Sequence, residues 1–327
     1  MGGASEFDVL VIGAGVVGLT TAITLAESGL RVRIHTADPP DGATSATAGA
    51  MWWPYRVEPY ERAKEWALKS FDVLADLAAS PAVTGVRMAD GIEAGRKSYR
   101  PPEWASGTGA RPCDADELPA GFAEGWRYRL PLLDMPAYLA YLVGRFESAG
   151  GVLQVKKHRD IPLAAAPVIV NCTGTGARLL VDDANVVAVR GQVVVMENPG
   201  ITEFFCEDDD GGTDLVYILP HGRKVILGGT AEPSSWDREP DPDTTRAILE
   251  RCTAVRPELA GAPFLGQLVG LRPERSTVRL EEEVRRDVAA PHGRLIHNYG
   301  HGGGGVTLAW GCAAEVAELV RSAPDLP

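Results

Sequence analysis

Residues 9–18 read VLVIGAGVVG, a short apolar run followed by three glycines in the spacing G-x-G-x-x-G. The four apolar residues before Gly13 predict a buried strand. After Gly18, apolar residues recur at helical spacing until Gly29, which predicts a helix that ends there. Residues 31–35 alternate polar and apolar side chains and predict a second strand. These elements form a βαβ unit, whose parallel sheet must be covered on both faces.

The glycine motif of residues 13–18 predicts a dinucleotide site, because it follows a strand and opens a helix. Gly13 suits the tight turn, Gly15 lets the backbone approach a pyrophosphate, and Gly18 permits close packing of helix on strand. Amide groups at the helix N-terminus would hold the phosphates. Asp38 follows Gly18 by 20 positions and is the candidate ribose ligand, with an ordinary loop aspartate as the alternative. A glycine turn that serves packing alone is the alternative for the whole motif.

Composition narrows the class of protein. The chain has 327 residues, with 32 Lys and Arg against 44 Asp and Glu, and a formal net charge of −12. Hydrophobic residues make up 45% and charged residues 23%, which excludes disordered and collagen-like chains. The acidic balance argues against a nucleic-acid partner, since phosphate contacts need a basic face. At this length we expect two domains.

The cysteines and the apolar stretch near the N-terminus indicate where in the cell the protein is expected. The five cysteines lie far apart and form no C-x-x-C pair, so we expect neither a disulfide framework nor a metal site. Reduced thiols predict a cytoplasmic protein. Residues 9–26 contain no charged side chain, but their glycines and threonines argue against a membrane span. Glu6 and Asp8 precede this stretch, whereas a signal peptide begins with basic residues.

The rest of the chain mixes helical and strand-like segments. Apolar periodicity predicts helices over residues 61–79, from 138 to a stop at 150, over 244–255 and over 306–320. Strand-like runs lie at residues 168–170, 192–196, 215–219, 224–227 and 295–297. Turns are predicted at residues 220–222 and 228–229, and residues 95–131 show no period and are expected to be irregular.

A second glycine cluster lies near the C-terminus, where residues 296–307 read IHNYGHGGGGVT. Four successive glycines between a strand and a helix let a planar ligand approach bare backbone. The helix N-terminus would place a partial positive charge beside that ligand. A flexible linker is the alternative, but strand and helix flank the run without a polar spacer. A nucleotide motif at the chain start with this segment at its end indicates FAD rather than NAD.

The sequence resembles the D-amino-acid oxidases over essentially its whole length. The most specific match is HNYGHGG at residues 297–303. The other matching segments are the glycine motif at 13–18, AGAMWWPY at 48–55, VNCTG at 170–174, RGQ at 190–192, YILP at 217–220, LGG at 227–229, GLRP at 270–273 and VRLE at 278–281.

The resemblance implies an α/β fold. A FAD-binding Rossmann-type domain would carry an inserted α+β substrate-binding domain built on a mostly antiparallel sheet. Residues 1–55, 132–188 and 277–327 would form the FAD-binding domain. Residues 56–131 and 189–276 would form the substrate-binding domain. A homodimer is the expected assembly.

The resemblance also implies the substrate anchors. Arg272 corresponds to the arginine that binds the substrate α-carboxylate through a bidentate pair, a task that suits a planar guanidinium better than a lysine. Tyr217 corresponds to the tyrosine whose hydroxyl meets the same carboxylate. The carbonyl of Gly303 would accept a hydrogen bond from the substrate amine. Trp52 is expected in the core, whereas the residues implied to line the side-chain pocket are Met51, Trp53 and Tyr55.

A larger set of residues would contact FAD. For the two hydroxyl residues at 44 and 45 a plain turn is the alternative. The implied contacts are Gly13, Ala14, Gly15, Val16, Val17, Gly18, Asp38, Thr44, Ser45, Gly49, Ala50, Met51, Cys172, Thr173, Gly174, Arg272, Gly302, Gly303, Gly304, Gly305, Val306 and Thr307.

The implied reaction is oxidative deamination of neutral D-amino acids by hydride transfer from Cα to flavin N5. Hydride transfer would give an imino acid, which water hydrolyses to a 2-oxo acid and ammonia, and molecular oxygen would reoxidise the flavin and yield hydrogen peroxide. No residue is predicted to act as acid or base. D-aspartate oxidase and glycine oxidase are alternatives on the same scaffold, but aspartate would need a second cation, and aromatic Trp53 and Tyr55 favour neutral side chains.

Two more distant alternatives are a flavin monooxygenase and a non-catalytic dinucleotide-binding protein. The chain contains no Gly-Asp dipeptide, which monooxygenases usually carry late in the sequence. Some D-amino-acid oxidases also close the site with a lid tyrosine four residues before the position of Tyr217. Here that position is Thr213, so we expect an open entrance and product release less limited by lid movement.

Overall fold

The structure is a computed structural model, which describes residues 6–54, 57–97, 99–208, 212–283 and 293–322. The α-helices of these residues are α1 Val16–Glu27, α2 Tyr60–Leu77, α3 Pro81–Thr84, α4 Met135–Ser148, α5 Ala177–Leu180, α6 Pro242–Val255 and α7 Gly305–Arg321. The strands are β1 Val9–Ile12, β2 Val32–Thr36, β3 Val86–Gly95, β4 Arg111–Pro112, β5 Glu124–Leu133, β6 Val152–Val155, β7 Val168–Asn171, β8 Val187–Glu197, β9 Phe204–Glu207, β10 Asp214–His221, β11 Lys224–Thr230, β12 Glu232–Pro233, β13 Phe264–Glu282 and β14 Arg294–His301.

These strands form one mixed sheet in the order β4-β5-β3-β9-β10-β11-β8-β13-β14-β7-β1-β2-β6, with β12 paired to β8. The strands β14, β7, β1, β2 and β6 pair in parallel. The remaining pairs are antiparallel, except that β3 and β9 are parallel. The predicted α/β fold with a Rossmann-type part and a mostly antiparallel part is therefore confirmed.

Helices α1 and α7 pack together beside the parallel strands. Leu19 and Ile23 of α1 are fully buried, and the Thr20 hydroxyl donates to the carbonyl of Ala309 in α7 at 3.2 Å. On its other side α7 lies against α2 at Gly311, where a Cβ would stand 2.3 Å from the Cα of Trp66. The start of α7, which holds the second glycine cluster, is therefore fixed against two helices.

Strand β13 joins the two parts of the sheet. It pairs with β8 on one side and with β14 on the other, and its pairing with β14 shifts register between Glu274 and Arg279. Helix α6 covers the antiparallel part through buried Ile248 and Cys252. The predicted domain boundary at residue 277 falls inside β13, and the domain bounds stay a prediction.

Two local predictions are wrong. Residues 95–131 were expected to be irregular, yet β5 begins at Glu124 and pairs with β3 over ten residues. That pairing is non-local and leaves no period in the segment itself. Residues 228–229 were expected to form a turn, yet both lie inside β11. The glycines are explained by Tyr217, because a Cβ on Gly228 would stand 1.8 Å from its Cζ.

Three further findings concern the described part of the chain. None of its helices combines the length and the apolar character needed to span a lipid bilayer. Within those residues no group of three or more His, Cys, Asp or Glu side chains is placed to hold a metal ion. All five cysteines are free thiols, of which Cys172, Cys252 and Cys312 are buried.

Candidate functional site

A cleft of about 660 Å³ lies at the carboxyl ends of the parallel strands. Its walls include the residues that follow β1, the end of β2, the turn after β7 and the end of β14. In open parallel sheets, ligands bind in crevices at these strand ends. The cleft also reaches β8, β10 and β13 of the antiparallel part, so one space connects both parts of the sheet.

The first glycine loop needs its glycines for steric reasons. Gly13 has φ +108°, and a Cβ there would stand 2.4 Å from the carbonyl oxygen of Cys172. A Cβ on Gly18 would stand 2.0 Å from the carbonyl oxygen of Gly13, so Gly18 packs α1 on the loop and does not line the cleft. Gly15 lines the cleft and leaves bare backbone beside the Ser45 hydroxyl.

The residues at 44 and 45 belong to a short turn that closes the cleft beside α1. The Ser45 hydroxyl accepts a hydrogen bond from the backbone N–H of Val16 at 3.1 Å. The Thr44 hydroxyl donates to the carbonyl of Leu271 in β13 at 3.2 Å. Both line the cleft. The turn therefore links the N-terminus of α1, a favourable place for phosphate, to the strand that carries Arg272.

Asp38 lines the cleft in an exposed position, and its carbonyl accepts a hydrogen bond from the Thr36 hydroxyl at 2.8 Å. Basic residues that the sequence analysis missed lie at the same end. Their only signal in the sequence is that they are consecutive after β6. They are Lys156, Lys157, His158 and Arg159.

His158 at this end is paired with His35. Their rings stack, with 2.8 Å between Nδ1 of His35 and Nε2 of His158. Burial, with Lys156 nearby, lowers the pKa of His35 to about 4. Both imidazoles are therefore neutral at pH 7, since burial also lowers the pKa of His158.

In the second glycine loop, residues 302–306, some positions line the cleft and one packs against the rest of the protein. Gly302, Gly303, Gly305 and Val306 line the cleft. Gly304 does not, because it is buried against Val57, whose Cγ2 would lie 2.6 Å from an added Cβ.

Thr307 does not line the cleft either, because its hydroxyl is engaged by Trp53. It accepts from the N–H of Trp53 at 3.0 Å and donates to the carbonyl of Trp53 at 2.9 Å. The start of α7 is thereby tied to the segment of residues 50–53.

Two buried polar atoms on cleft-lining residues have no hydrogen-bond partner in the described part of the chain. They are Oδ1 of Asn298 and Nε2 of His301. Burial lowers the pKa of His301 to about 4, so its imidazole is neutral. Buried polar atoms are normally satisfied, and a ligand is one way to satisfy them. Together with the bare backbone at Gly13 and Gly15, these atoms fit a bound dinucleotide.

Arg272 and Tyr217 line the cleft on its antiparallel side. Nη1 of Arg272 donates to the carbonyl of Thr230 at 2.8 Å, and the guanidinium lies on the bare backbone of Gly191. Burial raises the pKa of Tyr217 although the charge of Arg272 opposes this, so the phenol stays protonated. A fixed cation and a hydroxyl donor in one cleft can bind a carboxylate.

Aromatic rings pack around Trp53 and form a cluster, called the aromatic wall below. The Trp53 ring contacts Trp104 at 4.6 Å and Tyr128 at 5.2 Å between centroids, both edge to face. Trp52 is fully buried and donates from Nε1 to the carbonyl of Ala67, as its expected core position requires. Met51 pairs with Leu132 in an isolated bridge.

Ala50 does not line the cleft and is nearly buried, with φ 55°. Of the three implied pocket residues, Met51 and Trp53 do not line the cleft, and Tyr55 lies outside the described residues. Residues 209–211 near Thr213 also lie outside the described residues, so the expected open entrance stays a prediction.

The structure brings most predicted site residues together, while their roles stay predictions. Those in the cleft are Gly13, Ala14, Gly15, Val16, Val17, Asp38, Thr44, Ser45, Gly49, Cys172, Thr173, Gly174, Tyr217, Arg272, Gly302, Gly303, Gly305 and Val306. Those described but outside its lining are Gly18, Ala50, Met51, Trp53, Gly304 and Thr307.

The chain is similar to known oxidoreductases over nearly its whole length. A family model described as FAD dependent oxidoreductase matches residues 8–319. The chain is 49% identical over 314 residues to a D-amino-acid oxidase of Streptomyces coelicolor, covering 95% of this chain and 96% of the relative. It is 35% identical over 328 residues to a human D-aspartate oxidase, covering 95% and 94%.

A solved structure shares the fold. The glycine oxidase of Geobacillus kaustophilus superimposes with a TM-score of 0.81 at 21% identity, covering 99% of this chain and 97% of that one. The family model fixes FAD as the cofactor. The chain belongs to the D-amino-acid oxidase family of FAD-dependent oxidoreductases.

Proposed function

We propose that the protein oxidises D-amino acids with neutral side chains, with FAD as cofactor and oxygen as the acceptor that becomes hydrogen peroxide, and that water hydrolyses the imino acid to a 2-oxo acid and ammonia. The observation that carries the proposal is that Arg272 and Tyr217 line the same cleft as the two glycine loops. A carboxylate anchor thus lies in one space with a dinucleotide site. The relative named D-amino-acid oxidase supports the same substrate class.

FAD would be held at both ends of the cleft. The backbone of Gly13 and Gly15 and the amides at the start of α1 suit its pyrophosphate. Asp38 lies two residues after the end of β2 and lines the cleft, where it would bind a ribose hydroxyl. The loop of residues 302–306 would contact the flavin end. When bound, the flavin supplies a two-electron acceptor, which no protein side chain provides.

Arg272 would orient the substrate. Its guanidinium is already held by the carbonyl of Thr230, so little side-chain freedom is lost when a carboxylate binds. Tyr217 would add a hydrogen bond from its protonated hydroxyl, and the carbonyl of Gly303 would accept one from the amine. Because the carboxylate and the amine on Cα would both be held, one face of the amino acid would be turned toward the flavin, and this would select the D-enantiomer.

An acidic substrate is the rival proposal. It would require a second cation beside Arg272, and exposed Arg238 also lines the cleft. An Arg238→Gln variant assayed with D-alanine and D-aspartate separates the two hypotheses, because a large loss of D-aspartate oxidation is expected only if Arg238 binds an acidic side chain. Under the neutral-substrate proposal, oxidation of D-alanine by this variant stays within about twofold of wild type, because the side chain is not needed for it.

The direct test is peroxide release by purified holoenzyme across a panel of D- and L-amino acids with glycine and D-aspartate included. We expect turnover of neutral D-amino acids and none of their L-enantiomers. Arg272→Ala should lose at least about 100-fold in kcat/KM while the flavin absorbance of the purified protein is retained. Arg272→Lys is the matched control, which keeps the charge but loses the fork. Unchanged turnover in Arg272→Ala would overturn the assignment.

A cytoplasmic location, a homodimer and the domain bounds at residues 55, 131, 188 and 276 belong to the same proposal. The family resemblance supports them. Analytical ultracentrifugation of the holoenzyme tests the dimer, which predicts about twice the monomer mass of 34.8 kDa. Limited proteolysis tests the bounds, since cleavage between units should precede cleavage within them.

A further inference from the structure

Glu93 is aligned across the sheet with Tyr217, the tyrosine proposed to bind the substrate. Glu93 of β3 lies opposite Cys206 of β9, and Cys206 lies opposite Tyr217 of β10. Side chains of directly opposed residues project from the same face of a sheet. Glu93 therefore projects from the face that carries Tyr217, two strands away.

The Glu93 side chain is buried and hydrogen-bonded. It is 7% exposed and accepts a hydrogen bond from the hydroxyl of Tyr99. The hydroxyls of Tyr99 and Tyr128 lie 2.7 Å apart. The Tyr128 ring in turn contacts the ring of Trp53. The carboxylate is thus connected through two phenols to the aromatic wall.

Glu93 contributes to the raised pKa of two neighbouring groups. Burial raises the pKa of Cys206 well above its usual range, and Glu93 adds to this increase. Burial raises the pKa of Tyr128 as well, again with a contribution from Glu93. Cys206 lies between Glu93 and Tyr217, so Tyr217 is the next position beyond Cys206 on the same face of the sheet.

We infer that Glu93 determines substrate specificity by placing a negative charge two strands from Tyr217, on the face of the sheet that carries Tyr217, which discriminates against D-amino acids with acidic side chains. This inference rests on the proposed function. Two strand spacings amount to about 10 Å. At an effective dielectric of about 20, repulsion between Glu93 and a substrate side-chain carboxylate at that distance weakens binding by about 15-fold. A neutral side chain of the same shape escapes this penalty.

D-Aspartate and D-asparagine form a suitable pair, because they differ in charge and hardly in shape. The measurement is the ratio of their kcat/KM values on the holoenzyme. Where turnover is too slow, the ratio of their inhibition constants against D-alanine oxidation replaces it. We expect wild type to favour D-asparagine by about 15-fold or more, and Glu93→Gln to reduce that preference by about the same factor.

Two further variants separate charge from packing. Glu93→Asp keeps the charge and should keep the wild-type ratio. Glu65→Gln removes one exposed carboxylate on α2 and should also leave the ratio unchanged. A ratio taken within one variant cancels any loss of folded enzyme. Should Glu93→Gln fail to fold, the wild-type ratio still tests the inference.

Each outcome has one meaning. A wild-type enzyme that prefers D-aspartate to D-asparagine overturns the role of Glu93. So does a Glu93→Gln ratio that equals wild type. Absence of oxidation with D-alanine and every other neutral D-amino acid instead overturns the proposed function on which the inference rests.

Discussion

Gly191 offers a sharp perturbation, because it lies directly under the proposed carboxylate anchor. A Cβ added at Gly191 would stand 2.4 Å from both Nη1 and Nη2 of Arg272 and 2.5 Å from Cζ. All three atoms are at the end of a flexible side chain, so the backbone of β8 has no reason to move. Gly191→Ala should therefore displace the guanidinium while the fold is retained.

The expected loss follows from the contacts that the displaced guanidinium can no longer make. Hydrogen bonds between charged groups contribute about 1.5–3 kcal/mol each, and the bidentate pair requires correct placement of both nitrogens. Losing part of that pair should cost about 2–4 kcal/mol, which corresponds to a decrease of about 30-fold to 1,000-fold in kcat/KM. The FAD dissociation constant should change by less than about threefold.

The assay is steady-state peroxide release with D-alanine, accompanied by a flavin fluorescence titration and a thermal melt. Gly144→Ala in α4 is the matched control, since its Cβ would meet nothing within 4 Å. Alanine is favoured over glycine in a helix, so this control should melt at the wild-type temperature or above. A Gly191→Ala enzyme within about threefold of wild-type kcat/KM would refute the reasoning.

Three other variants test the cofactor end. Ser45→Ala removes the acceptor of the Val16 N–H and should cost about 1 kcal/mol in stability and weaken FAD binding, measured by melting and by flavin titration. Gly18→Ala would place a Cβ 2.0 Å from the carbonyl oxygen of Gly13, a backbone atom, so we expect at least about 2 kcal/mol of destabilisation by urea unfolding. The pKa of His301 is about 4 when folded and about 6.5 when unfolded, so the unfolded chain binds the extra proton and stability falls by up to about 3 kcal/mol as pH drops from 6.5 to 4. His301→Asn should flatten the melting temperature over that range, and parallel curves for variant and wild type would contradict this.

The sequence was most informative where a local pattern has one steric solution. The G-x-G-x-x-G motif predicts β1, α1 and their turn. A side chain at Gly13 would clash with the backbone of Cys172, and one at Gly18 would clash with the backbone of Gly13. The glycines at 302–305 mark a second close approach, although periodicity cannot show that Gly304 packs on Val57 rather than facing the cleft.

Features that depend on which strands pair could not be predicted from the sequence. Gly191 reads as an ordinary strand glycine until β8 is paired with β13 and Arg272 is placed over it. Glu93 reads as one of many acidic residues until β3, β9 and β10 are aligned. Both positions gain meaning from partners more than 80 residues away in the chain.

The central claim is that the cleft holds a D-amino acid against FAD through Arg272. It is tested most directly by mixing holoenzyme with D-alanine or L-alanine in the absence of oxygen and following the oxidised-flavin absorbance. Rapid loss of that absorbance is expected with D-alanine, and no loss with L-alanine. Retention of the absorbance with D-alanine and all other neutral D-amino acids, or faster loss with the L-enantiomer, would contradict it.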